Sequence, residues 1–176
     1  MANKLTKLIN DFNIEADFYL NEMEKYSDDD LNKIPPEGGW SIGQVYNHLT
    51  QGTERFHFVK ARECLVSDLN LGSGKTMPGK IVFLIGGFPP SKIKVPPSPQ
   101  YTPTVPENKT KLASELNGLK NSFSEIALMI DESNTKGKTP HPALGFLTAT
   151  EWLKLVIMHF KHHRRQKQRL DTYLGK

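Results

Sequence analysis

The sequence predicts an all-α protein: an antiparallel four-helix bundle with a long proline- and glycine-rich crossover between helices two and three. Three observations lead there. Four stretches repeat their apolar residues at three- and four-residue steps, the pattern of helices with one buried stripe. Two of the four open on complete capping boxes. The only candidate strand is a short apolar run, Ile81–Ile85, which periodicity cannot assign at that length. A chain of 176 residues suits a single domain, 1–176.

Helix one is expected over residues 3–26, with Leu5, Leu8, Ile9, Phe12, Ala16, Tyr19, Met23 and Tyr26 as its stripe. Ser27-Asp28-Asp29-Asp30 ends it or caps a short following turn, and Pro35-Pro36-Glu37-Gly38-Gly39 is a turn. Helix two is expected over 41–66. Ser41 can cap the amide of Gln44 while the Gln44 side chain returns the bond, and Trp40 and Val45 occupy the staple positions. Residues 68–107 hold eight of the twelve prolines and five of the thirteen glycines, a density that predicts no helix there. Ile81–Ile85 is then a short strand or an apolar plug. The whole segment is either a lid, with Phe83, Phe88 and Tyr101 available to line a pocket, or a plain ordered connection. Helix three is expected over 107–131, with Leu112, Leu116, Leu119, Phe123, Ile126 and Ile130 facing inward. Thr139-Pro140-His141-Pro142-Ala143 reads as loop. Helix four is expected over 149–174, opened by Thr148 and Glu151 with Leu147 and Trp152 as staple partners.

Composition narrows the function classes. With 37% hydrophobic and 24% charged residues the chain has material for a core and lacks the bias of disorder. No apolar run approaches the roughly 18 residues of a membrane span, and the first residues lack the apolar core of a secretory signal, so no membrane partner is expected. One cysteine, Cys64, excludes an internal disulfide and a multi-cysteine metal site, so a reduced, cytoplasmic location is expected. The net charge of +4 is local: residues 147–176 carry seven Lys and Arg against Glu151 and Asp171, which leaves −1 for the rest. Cations near a helix C-terminus complement its dipole; the alternative is a rim that binds phosphate or carboxylate. No recognition motif supports a nucleic-acid partner.

The six histidines carry the chemical signal. Around helix four, at about 100° per residue from Trp152, His159 falls near 340° and His163 near 20°, inside the buried stripe, and His162 near 280°, at its margin. Two buried imidazoles one turn apart need hydrogen-bond partners, or they share a metal ion as an i, i+4 pair can. On helix two, with Ile42 at 0°, His48 falls near 240°, on the edge of the apolar stripe at roughly 260–340° and able to reach inward, whereas His57 falls near 60°, away from that flank, and reads as a surface or packing residue. His48 is therefore the best third ligand. Three neutral imidazoles with an open fourth position form the ligand set of a catalytic zinc site. Nickel, iron or copper also suit imidazole. Cys64 lies about 24 Å along helix two from His48 at 1.5 Å per residue, too far to join them, and reads as a packed thiol.

Three motifs carry a resemblance. Trp40-Ser41 through His48-Leu49, His159-Phe160-Lys161-His162-His163 with Gln166, and His141-Pro142 through Gly145, Leu147-Thr148 and Glu151-Trp152 resemble, in order and spacing, the corresponding helices of the DinB-like superfamily. Only the proline-rich segment lacks a counterpart. The resemblance implies an antiparallel four-helix bundle, often a homodimer, with a divalent metal held by His48, His159 and His163. It also implies a range of reactions, among them metal-dependent transfer of the thiols bacillithiol and mycothiol and a thiol-dependent maleylpyruvate isomerisation.

The leading expectation is a metal-dependent enzyme that activates a thiol or water for transfer to, or hydrolysis of, a small-molecule substrate. No Asp or Glu accompanies the histidines on the inward faces, which suits a thiol, a low-molecular-weight one, somewhat better than water. Glu151 reads as a cap. The rival expectation is a non-catalytic, metal-stabilised bundle that binds a small molecule or partner. A homodimer is expected to pair through helix one, where Ile14, Phe18 and Leu20 lie partly off the main stripe.

Overall fold

The computed structural model describes residues 2–66, 68–89 and 102–176. In chain order they form α1 (Ala2–Met23), α2 (Asp28–Asn32), α3 (Ile42–Gly52), a π-helical stretch (Thr53–Phe58), α4 (Val59–Glu63), α5 (Met77–Ile85), α6 (Lys109–Glu132), strands β1 (Lys138–His141) and β2 (Gly145–Thr148), and α7 (Ala149–Leu174). The described residues are mostly helical, with one small two-stranded sheet among them.

Local chemistry sets the helix starts. Ser27 and Asp30, Ser41 and Gln44, and Thr148 and Glu151 each form a reciprocal capping box. The first of these shows that the Ser27-Asp30 stretch opens a short helix after α1. α6 and α7 match the expected third and fourth helices closely, and α1 ends at Met23, a turn earlier than expected.

Three elements differ from expectation. The second helix is not one α-helix: the stretch Thr53–Phe58 is π-helical. Each such widening accommodates an extra residue and turns everything after it by about one residue's rotation. Residues 77–85 form a helix, not a strand or plug. Pro78 sits in the first turn, where a missing N–H costs nothing. The Thr76 hydroxyl accepts from the Gly79 amide, and Gly86, at φ 72°, closes the end in the left-handed conformation. Finally, residues 138–148 are a hairpin rather than a loop, with Thr139 opposite Leu147 and Pro140 opposite Phe146. A proline fits because each strand of a two-stranded ribbon is an edge. Gly145 is required by both angle and space: its φ is 80°, and a Cβ there would lie 2.6 Å from the Thr76 amide nitrogen. That close approach is bonded on both sides, Thr76 N–H to Leu144 O at 3.0 Å and Phe146 N–H to Gly74 O at 3.1 Å.

α1 packs on α6 and α7, and α3 packs on the same two helices. Between them Phe12 stacks on Phe123 at 4.3 Å and meets Phe160 edge-on at 5.4 Å. Two buried tyrosines fix the register. The Tyr46 hydroxyl donates to Tyr19 O (2.8 Å), and the Tyr19 hydroxyl donates to Phe160 O (2.9 Å), tying α3 to α1 and α1 to α7. The latter bond lands on the residue after His159. Lys167 is buried but fully paired, with Glu22 and Asp171, and Tyr26 donates to the same Asp171; breaking such a set would leave a charge without a partner. Among the described residues no helix is long and apolar enough to cross a membrane.

Candidate metal centre

The two helices held together through Tyr19 bring three imidazoles to one point. His48 comes from α3, and His159 and His163 come from successive turns of α7. His48 Nε2 lies 2.8 Å from His159 Nε2, and His163 Nε2 lies 3.1 Å from the same atom. One nitrogen from each of the three falls within 4.8 Å of the others.

Burial pushes His48 down to about 4 and His163 to about 3, and takes His159 well below the ordinary imidazole range; the neighbouring imidazoles add to the effect. All three rings are therefore neutral near pH 7. The Gln166 carboxamide oxygen lies 2.8 Å from His163 Nδ1. An amide oxygen can only accept, so the proton sits on Nδ1 and the lone pair of His163 Nε2 faces the other two rings. Ligands about 2.0–2.1 Å from one zinc-like ion at 90–109° to each other lie about 2.9–3.4 Å apart, close to the two separations measured from His159 Nε2. The donor set fits a divalent metal of the kind imidazole prefers. His163 is buried, and His48 and His159 are half-buried.

Trp40 walls the site. Its ring lies 4.9 Å from His48 and nearly parallel to His163 at 6.4 Å. The crossover approaches on two flanks. Phe88 packs edge-on against His162 at 5.3 Å, and His162 against His163 at 5.3 Å. Pro103 O and Thr104 O accept from the side-chain amides of Gln44 and Asn47, beside His48. Phe83 lies instead beneath the Lys75 ammonium, 5.1 Å from its ring centre. Tyr101 lies outside the described residues.

The other sequence candidates fall out as follows. His162 is not part of the converging set. Glu151 is the cap of α7 and is ion-paired with Lys75. Cys64 is buried, its thiol pushed up by burial, with Thr139 Oγ1 3.3 Å away. His141 serves the hairpin turn, its Nδ1 accepting from the amides of Ala143 and Leu144 at 3.1 Å each. His57 corrects the sequence reading. It is a buried packing residue as allowed for, but it does not face away: its ring centre lies 5.3 Å from that of His159 and 5.9 Å from that of Trp152. The π-helical stretch supplies the missing rotation, about one residue or 100°. Sequence reasoning also gave no role to Gln166, although its i, i+3 spacing from His163 is a signal for a side-chain contact on one helix face.

The family model described as the DinB superfamily matches residues 16–166, a span that holds all three converging histidines and ends on Gln166. No curated protein and no solved structure matches the chain. With a family match over all but the first 15 and last ten residues, the chain belongs to the DinB superfamily.

Proposed function

We propose that this protein is a metal-dependent enzyme of four-helix-bundle architecture in which His48, His159 and His163 hold a divalent metal, zinc in the first instance, and that it transfers a low-molecular-weight thiol to a small-molecule substrate. The observation that carries the reading is the meeting of three neutral imidazole nitrogens at one point, with the lone pair of one fixed there by Gln166. Bound in such a site, the ion acts as a Lewis acid that makes a thiol or water more acidic.

The chain's own residues divide the remaining work. Trp40 and Phe88 flank the site with apolar surface and limit water on those sides. Among the described residues no carboxylate joins the three imidazoles in the cluster that could hold the ion. A thiol, with an unperturbed pKa of about 8.5, needs far less help than water at about 15.7. That difference favours thiol transfer over hydrolysis. The reading includes a cytoplasmic homodimer.

Elemental analysis of protein purified without a histidine-rich tag, followed by turnover assays with a panel of biological thiols, tests it. The expected result is one equivalent of metal per chain, lost in His163→Ala, with thiol-dependent product formation. A metal-loaded protein that binds small molecules but consumes no thiol and hydrolyses nothing would instead be a metal-stabilised binding bundle.

A further inference from the structure

α5 is apolar on both sides. Its inner face sets Gly79 and Val82 against the rest of the protein, so closely that a Cβ on Gly79 would meet Leu144 O at 2.2 Å. Its outer face carries Met77, Ile81, Leu84 and Ile85, a run of i, i+4, i+7 and i+8 steps that forms one stripe. Those four side chains are 66%, 49%, 88% and 67% exposed. A helix that is apolar all round belongs inside a protein or against lipid, and contiguous exposed apolar surface marks an interaction site.

The charge around the stripe indicates what covers it. Lys80 flanks it, exposed and one helical step to the side. A groove beside Gly86, where α5 ends, is lined by Lys4, Lys7 and Lys154 around Leu8, Ile157 and Met158, with Asp11 as its one acid. Asp11 is ion-paired with Lys7. Lys75, at the other end, is ion-paired with Glu151. Between residues 69 and 89 the chain has two lysines, Lys75 and Lys80, and no Asp or Glu. A second copy of the chain is a poor occupant. Isologous pairing would set Lys80 near its own copy, and four side chains fall far short of the roughly 20–30 residues a side of a standard interface. A lipid surface needs no such shape-matched area. It accepts an amphipathic helix by its apolar face and rewards nearby lysines when the headgroups are anionic.

We infer that α5 docks on an anionic lipid surface, with Met77, Ile81, Leu84 and Ile85 in the interface and Lys80 at the level of the headgroups. Because the inner face of α5 is fixed to the hairpin turn, the whole protein would be held at the surface as a peripheral protein. The inference does not depend on the metal centre.

Co-sedimentation of the full chain with phosphatidylcholine vesicles, plain or containing about one-third phosphatidylglycerol, tests the proposal. The expected result is binding to the anionic vesicles alone, weakened by salt. Leu84→Asp should lower that partition by about tenfold or more, and Lys80→Glu by about fivefold. Both positions are exposed, and unchanged circular dichroism would show that the fold is kept. Absence of binding to either vesicle overturns the proposal, as does equal binding by Leu84→Asp. So does a concentration-dependent dimer that Leu84→Asp dissociates, since the stripe would then be covered by a second copy.

Discussion

Gln166 Oε1 sits 2.8 Å from His163 Nδ1 and so decides which nitrogen of that imidazole keeps its lone pair. The bond spans one turn of α7 and uses the ring nitrogen of His163 that does not face the other two imidazoles, so it can be broken without removing a donor atom. Gln166→Leu is expected to lower metal affinity by about 10–100-fold, the usual cost of losing a partner that orients a ligating imidazole. Gln166→Glu, which keeps an acceptor, should retain affinity near that of the parent. Chelator competition reads both, and equal affinity for parent and leucine variant would show that Gln166 has no part in holding the site.

The adjacent histidines of α7 should separate cleanly. His163 Nε2 is in the converging set, while His162 is outside it and packs edge-on against Phe88. His163→Ala should lose bound metal, and His162→Ala should keep it in full. Metal content per chain after exhaustive dialysis decides this. Loss in the His162 variant would mean that its ring, and not only its backbone position, helps hold the ion.

These contrasts could be read from the sequence because α7 is regular from its cap to its end. The Thr148–Glu151 box fixed where it starts, and a constant rotation per residue then sorted His159 and His163 inward and His162 to the margin. Ser41 and Gln44 did the same for α3, and His48 lies before the π-helical stretch, so its phase was sound. His57 lies inside that stretch, and no residue type marks an i to i+5 turn, so its phase was off by about one residue. α5 was hidden for another reason. The proline density of the crossover predicts no helix, yet Pro78 starts one and the other crossover prolines all follow it in the sequence. The hairpin was hidden by Pro140, which argues against a strand everywhere except at an edge.

Gly43, two residues into the second of these capping boxes' helices, has no room for a side chain. A Cβ would lie 2.5 Å from Leu31 O and 2.6 Å from Pro106 Cγ. Gly43→Ala is therefore expected to destabilise the protein by about 1–3 kcal/mol, as overpacking does. Gly118, exposed on α6 with nothing within 4 Å of its would-be Cβ, is the matched control. Gly118→Ala should stabilise by about 0.5–1 kcal/mol through helix propensity alone. Urea unfolding of the two variants should move in opposite directions; a shared direction would show that the close approach at Gly43 yields at little cost.

Cys64 should be silent in the folded protein. Its thiol is buried and held in the neutral form by that burial, and only thiolates react readily. Titration with a chromogenic disulfide should find no fast thiol until denaturant is added, and then one. A fast-reacting native thiol would bring Cys64 back as a participant in the proposed thiol chemistry.

Glu151 ties the start of α7 to the crossover, and its charge should be visible in the pH dependence of stability. Burial works against the carboxylate, but the Lys75 ammonium and the Thr148 amide and hydroxyl outweigh it, so the folded pKa lies below the ordinary 4.5. A carboxylate with a depressed folded pKa contributes stability that is present above about pH 4.5 and lost as pH falls through the folded value. Glu151→Gln keeps the side chain's length and a capping oxygen but gives up the charge. It is expected to be less stable than the parent by about 1 kcal/mol at pH 7, a modest figure because the pair is partly open to water. The gap should shrink as pH falls below about 4.5 and close once pH lies below the folded value, where both side chains are neutral. Urea unfolding at pH 7, 5, 4 and 3 reads the gap directly. A difference that stays constant down to pH 3 would assign the effect to the geometry of the cap, and a difference absent at pH 7 would leave the Lys75 pair with no share in holding α7 to the crossover.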